Sequence, residues 1–566
     1  MSNFSPVATS ALRGLVVAGL TAWAGGARAQ WTPSGTPICA TAAEQQFPAV
    51  VEDGVGGAIV AWQDTRNGDL DIYAQRVRAA GVPQWTPDGV ALSTAPGDQW
   101  EPRIASDGAG GAIVTWYDFR AGGAADVYVQ RVDADGAVRW VSDGVALSTA
   151  TGDQVSPAIV SDGSGGAIVA WHDSRNGAAD IFAQRVDANG VTQWVPDGTA
   201  LCSATGDQSL AMVAGDGAGG AIVTWQDGRS SFYHIYAQRI DAAGAVQWTV
   251  NGVGVCTTPA GGQLSPVITG DGGGGAIVAW RDARSGARGT YAQRLDGSGT
   301  AQWTLDGVAL SVAGTFQLFQ AIVADGSGGA IVTWQDDRAV SNYDVYAQRV
   351  DASGSPAWTA NGVAVCTAAN DQALPQITSD GSGGAIVAWS DVRDGVLQAV
   401  YAQRLDAAGA PQWTTDGLAV STVASDQGSQ VLTTDGSGGA ILAWQDWRNG
   451  SSDVYAQRLT ESGSVPTPVP APAATVPAIL SGIYPNPSGG SATFDLELTR
   501  PSPVRLEVFD VAGRLLRRMT YPELAGSRRI AFDGRDDRGD DLPSGVYLCR
   551  LHLSGTEVAS KLVIAR

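Results

Sequence analysis

The chain has 566 residues, a formal net charge of −21 and a pI near 4.4. That length exceeds one ordinary domain and can bury a large core. A field of that sign repels phosphate backbones and anionic lipid, which argues against nucleic acid or a membrane surface as partner. With three histidines (His172, His234 and His552), conventional general bases are scarce.

Chain order begins with an address. Arg13 precedes the apolar run Leu15-Val-Val-Ala-Gly-Leu20, and Ala27-Arg28-Ala29 follows. This predicts a signal peptide over residues 1–29, cleaved between Ala29 and Gln30. The run is shorter than the roughly 20 apolar residues that span a bilayer, and no later stretch qualifies. The predicted destination is the cell exterior, secreted or on the outer surface.

From Trp31 to Arg458 one unit recurs. Copies begin at Trp31, Trp85, Trp140, Trp194, Trp248, Trp303, Trp358 and Trp413, 54 or 55 residues apart. Each contains four strand signals and no helical periodicity. The first is Pro-x-Ile/Val, and the second is Ala-Ile-Val-Ala/Thr-Trp, apolar at every position as a strand covered on both faces must be. The third is Asp-Ile/Val-Tyr-Ala-Gln-Arg, and the fourth runs from the next tryptophan through Gly-Val-Ala-Leu. Asp-Gly-x-Gly-Gly joins the first two as a tight hairpin.

The ends decide between an open array and a ring. After Arg458 the expected tryptophan strand is missing, while Trp31 opens a strand with no unit before it. One strand lacking at the end and one in excess at the start is what closure by strand exchange requires; an open array would leave two bare edges. The expected fold class is all-β: an eight-bladed β-propeller over residues 30–463, built of four-stranded blades and closed by the N-terminal strand. Two tryptophans per unit account for sixteen of the nineteen and are predicted to be core. Cys39, Cys202, Cys256 and Cys366 lie eight residues after a tryptophan, where the other units place Ser93, Ser148, Ser311 and Ser421. Equivalent points of different blades exceed the ~7 Å Cα limit for bridging. Free thiols are expected, with no metal cluster and no cofactor.

Residues 464–478 are proline-rich and predict a stiff, extended linker. The tail then reads Tyr484-Pro-Asn-Pro487, Val-Arg-Leu-Glu-Val-Phe-Asp510-Val-Ala-Gly513-Arg, Phe-Asp533-Gly-Arg-Asp, and Ser-Gly545-Val-Tyr. Short alternating strands with turn signals predict a small β-sandwich over 479–566. On these motifs, in this order, the tail resembles the Ig-like domain of flagellar-hook-capping (FlgD-like) modules and type IX secretion (Por) sorting domains. The resemblance implies sorting through secretion machinery or attachment at the surface. Phe532 stands where that family usually has tryptophan.

Three residue types recur in all eight units: Asp-x-Arg after each second tryptophan (Asp64/Arg66, Asp173/Arg175 and their counterparts), a glutamine before each first strand (Gln45, Gln99), and Gln-Arg in each third strand (Gln75-Arg76). Residues identical in every blade are expected to serve the blade, by hydrogen-bonding loop backbone and each other. A single active site should break the symmetry. Trp100 and Trp447 are the two tryptophans the repeat does not require; with Phe47, Tyr117 and Phe119 they predict an aromatic ligand-binding patch over units eight, one and two. His172 and Arg281 replace the glutamine frequent after the second tryptophan. No catalytic motif is recognisable. The leading expectation is a binding protein for an extracellular protein or polysaccharide. The alternatives are a glycan-cleaving, sialidase-like propeller with two carboxylates at the axis, or a structural adhesin or surface-layer component.

Overall fold

In the computed structural model the described residues are 31–286, 288–314, 316–339, 342–465, 478–484, 488–510, 514–553 and 556–566. The expected signal peptide, its Ala29–Gln30 cleavage site and most of the linker lie outside them. Every regular element among the described residues is a β-strand. No helix there is long and apolar enough to cross a membrane. The chain divides into two compact units, Met1–Pro468 and Val469–Arg566.

In the first unit each repeat forms one four-stranded antiparallel sheet. Sheet one pairs Gln45–Glu52, Ala58–Asp64, Asp71–Val77 and Val90–Ser93 in that order. Sheet eight pairs Gln427–Thr434, Ala440–Asp446 and Asp453–Leu459 with Thr36–Cys39, a strand from the chain's beginning. There Thr36 lies opposite Ala456 and Pro37 opposite Tyr455. First strands of consecutive sheets contact one another, and that of sheet eight contacts that of sheet one. This all-β array of four-stranded sheets is consistent with a propeller.

The second strands are covered on both faces, and Ala58-Ile-Val-Ala-Trp62 is wholly buried. The first tryptophan of the units differs from expectation: it stands outside the strand, as Trp85 does in a bend, and the fourth strand is at most four residues long, Val90–Ser93 in sheet one and Leu418–Ala419 in sheet seven. The chain needs that turn to clear the buried indole. At Gly89 (φ +90°) a Cβ would come within 2.5 Å of the Trp62 ring, so only glycine fits. Trp85 is then anchored by its backbone N–H to Gln75 Oε1 at 2.8 Å and by Nε1 to Ala134 O of the next sheet at 3.1 Å.

The second unit contains Ala478–Tyr484, Ala492–Phe509, Leu515–Phe532, Gly545–Leu553 and Thr556–Ile564. Ala492–Phe509 pairs with the first of these along its beginning and with Gly545–Leu553 along its end. Its register with Leu515–Phe532 breaks between Leu498 and Val504. A strand that bends and changes partner in this way suits the corner of a sandwich. Its core holds Phe494, Val508, Leu551 and Phe532, whose ring meets Phe494 edge-on.

Candidate functional site at the head of the first strands

The Asp-x-Arg and Gln-Arg residues of the units are spent on seams between sheets, whereas the recurrent glutamine holds its own loop, as Gln45 Nε2 does on Thr41 Oγ1 and Ala43 O. Asp64 accepts Trp62 Nε1 on Oδ2 at 2.9 Å, Arg66 Nε on Oδ1 at 2.8 Å and Arg66 Nη2 on Oδ2 at 2.5 Å. The guanidinium lies 3.9 Å from the centre of the Tyr73 ring. It also donates to Asp88 O and to Cys39 Sγ, on the strand before sheet one. In sheets two and three the same arginine reaches Ser93 and Ser148. The cysteine/serine position is therefore an acceptor across the seam as well as a small packing site. The five cysteines are free and buried. Burial pushes the Cys39, Cys202, Cys256 and Cys366 thiols up to about 12, which leaves them un-ionised.

A second seam runs along the short-turn side. Asp53 Oδ1 accepts Val55 N and Gly57 N within its hairpin, while Oδ2 accepts Arg76 Nε. Arg76 continues to Ala134 O of sheet two. With its oxygens committed this way, Asp-Gly-x-Gly-Gly is a hairpin braced by the Gln-Arg motif.

The first strands begin at the glutamine, earlier than the Pro-x-Ile/Val signal, and carry a bulge. Gln46 pairs with Gln63 and Ala49 with Ala61, so two residues face one. The first bulge residue is left-handed in all eight sheets: Phe47, Glu101, Ser156, Leu210, Ser265, Phe319, Leu374 and Ser429, with φ from 49° to 55°. None is glycine. A side chain from the preceding sheet often steadies the bulge. Glu101 N donates to Gln63 Oε1 at 3.1 Å, and Ser265 N to Gln226 Oε1 at 3.3 Å. In five units the next residue is proline, which has no N–H to satisfy; Ala211 has one and donates it to His172 Nε2 at 3.0 Å. Burial lowers the His172 pKa to about 4, so its imidazole is neutral and holds backbone.

These bulges surround a cavity of about 700 Å³ to which all eight first strands contribute. Apolar Leu210, Met212, Val431 and Phe319 share its wall with Glu101, Arg103, Arg281, Gln320 and Gln376. Glu101 is the only carboxylate in that lining, and it pairs with Arg103 at 3.7 Å. Arg281 has no such partner among the described residues, and its Nε is buried without a hydrogen bond. Burial and the nearby Arg288 lower its pKa.

Of the predicted aromatic patch, three members come together. Trp100 lies opposite Tyr117, and Tyr117 meets Phe119 edge-on at 5.9 Å. Phe47 and Trp447 are 47% and 41% exposed and make no ring pair with that group. The bulges and the cavity were missed at the sequence level; the recurrent proline three residues after the glutamine was the one available signal.

Comparison with known proteins adds the following. No curated protein matches the sequence. The chain is similar to an ulvan lyase of a new polysaccharide lyase family (TM-score 0.43, 12% identity, covering 67% of this chain and 97% of that one). It is also similar to the α-L-arabinanase of Penicillium chrysogenum (0.33, 13%, 57% and 97%). PorZ, a surface component of the type IX secretion system of Porphyromonas gingivalis, gives 0.24 at 11% identity over 93% and 82%. Residues 483–556 match the FlgD Ig-like domain, as the motifs of the tail imply.

Proposed function

We propose that this chain is a secreted or surface-displayed binding protein whose eight sheets are the blades of a closed propeller. Three contacts support closure: the pairing of Thr36–Cys39 with Asp453–Leu459, Trp31 Nε1 on Ala79 O at 2.8 Å, and Arg448 Nη1 on Ser34 O at 2.7 Å. In this reading residues 1–29 direct export, 464–478 link the two units, and 479–566 sort or anchor the protein. The ligand is an extracellular polysaccharide or protein, taken at the mouth of the ring. The observation that carries it is a division of labour. The Asp-x-Arg and Gln-Arg groups of the units are committed to seams, whereas the cavity wall differs from unit to unit and mixes apolar surface with a few convergent polar groups, the composition of a ligand site.

Most glycoside cleavage uses two carboxyl groups roughly 5–10 Å apart, and the lining supplies only Glu101. Binding therefore stands ahead of cleavage and of a purely structural adhesin. The aromatic patch, with Trp100, Tyr117 and Phe119 together and Phe47 and Trp447 exposed, would extend the contact outward. Incubating the purified chain with a glycan array and with polysaccharides, and reading both retention and cleavage, tests the reading. Retention without new reducing ends supports it, turnover favours the enzyme, and neither outcome favours the adhesin. Trp100→Ala with Trp447→Ala should weaken retention if the patch takes part; unchanged affinity removes it.

A further inference from the structure

One corner of the cavity differs from the other seven. The residue after the second tryptophan is Gln63, Tyr117, His172, Gln226, Gln335, Ser390 or Gln445 in seven units and Arg281 in the fifth. Elsewhere this position can accept a hydrogen bond from the next sheet's bulge, as Gln63, His172 and Gln226 do. A guanidinium has only donors and cannot do so. Its neighbour in sheet six is altered too: Gln320 stands where five units have proline. Gln320 is 7% exposed; its Nε2 donates to Thr290 Oγ1 and Gln317 O, but Oε1 has no partner. The cavity wall thus holds, on either side of Thr290, a cation with an unused buried donor and an amide with an unused buried acceptor. Unmatched buried polar atoms are costly, and a ligand supplying both partners would recover that cost.

We propose that this Arg281–Gln320 corner binds an acidic saccharide, with a carboxylate or sulfate oxygen accepting from Arg281 and a ring hydroxyl donating to Gln320 Oε1. The inference rests on the binding reading above and deepens it. A hydroxylated anion meets both needs; a bare anion would leave Gln320 unsatisfied, and a neutral sugar would leave the charge unpaired. The exposed Phe319 beside Gln320 offers a face for sugar C–H groups. The net charge of −21 does not forbid an anion here, since at physiological salt screening acts within about 8 Å.

The test uses the full chain with five probes: tetragalacturonate, its carboxyl-reduced neutral counterpart, a sulfated tetrasaccharide of the heparin type, inorganic sulfate and a glutamate-rich peptide. Arg281→Gln installs the residue found at four of the other seven positions, so the sheet should fold, as a matching thermal transition would verify. At least one acidic saccharide should bind the wild type better than the neutral one and lose about 10- to 100-fold in R281Q, with neutral-probe affinity unchanged. Gln320→Pro should weaken the saccharide and leave inorganic sulfate unaffected. Equal binding of acidic and neutral sugars, unchanged R281Q affinity, or stronger binding of the peptide would overturn the inference while the binding reading survives. If no saccharide is retained at all, the inference falls together with the glycan form of that reading.

Discussion

The seams between sheets and the heads of the first strands are built from the same eight repeats, yet they treat repetition in opposite ways. At the seams an Asp, an Arg and a tryptophan occur in every copy and meet the same partners, as Asp64, Asp173 and Asp446 show. At the heads the matching position is Gln, Tyr, His, Gln, Arg, Gln, Ser and Gln in turn. A position repeated eight times is under one demand, packing against an identical neighbour. A position free to vary can answer to a ligand that has no eightfold symmetry.

The strongest way to break the comparison is at the seam closed by the first and last sheets. Trp31 is 1% exposed and donates to Ala79 O beside sheet one, while the strand that follows it, Thr36–Cys39, pairs with Asp453–Leu459 from the opposite end of the repeats. Trp31→Ala should cost about 3–5 kcal/mol, as in any well-packed core, read by chemical denaturation. A loss below about 1 kcal/mol would mean that the N-terminal strand is peripheral and the ring is not closed by it. Next is Asp173→Ala, which strips Trp171 and Arg175 of their acceptor and leaves a half-buried guanidinium over Phe182. The expected loss is about 3 kcal/mol or more. Arg175→Ala in that background should then cost little more, because the pair acts as a unit.

A milder probe lies at the heads. Ser156 sits at φ +51°, a conformation glycine reaches without the clash of a Cβ. Ser156→Gly should be neutral or stabilising by up to about 1 kcal/mol, against the usual penalty for glycine in a strand. A clear destabilisation would show that the side chain holds the bulge.

The contrast also explains what could be read from the chain. The surplus strand at Trp31 was legible because a 54–55 residue period makes a missing tryptophan after Arg458 conspicuous. The structural role of Asp-x-Arg was legible from recurrence alone. Its reach to Cys39 or Ser148 was not, because those atoms sit on another strand, 27 residues away in sequence. The bulge was hidden for a different reason. Phe, Glu, Ser and Leu are poor left-handed residues, so nothing in their identity announces φ near +50°; the register of Gln45 and Ala49 against the second strand imposes it. Arg281 was visible as a break in a series of glutamines, but the cavity it shares with Gln320 needed neighbouring strands in space. The five aromatics shared a loop level in the sequence, yet only Trp100, Tyr117 and Phe119 adjoin, since strand pairing decides which side chains face each other.

Between the two extremes lies a position shared by five units, the aspartate at or near the start of the third strand in Asp71, Asp126, Asp180, Asp344 and Asp453; His234, Gly289 and Ala399 replace it elsewhere. Asp71 is buried beside Asp64 and Asp69, and one oxygen accepts Asn67 Nδ2 at 2.6 Å. Burial raises its pKa to about 6, with those carboxylates adding to the effect, and Asp344 is raised to about 6 in the same way. A raised carboxyl holds its proton more tightly folded than unfolded. Its contribution is therefore full below about pH 4 and is lost as pH climbs through about 6. Above that the native state carries a desolvated charge at a cost. Asp71→Asn keeps an acceptor for Asn67 and removes the charge. The variant should match the wild type near pH 4 and exceed it at pH 7 by about 1–2 °C in Tm. The double variant with Asp344→Asn should show about twice the gain, because the two sites share no partners. A gain of the same size at pH 4 and pH 7 would show that the aspartate is unfavourable for its shape, not for its charge. The position would then belong with the seams, where geometry is what all eight copies hold in common.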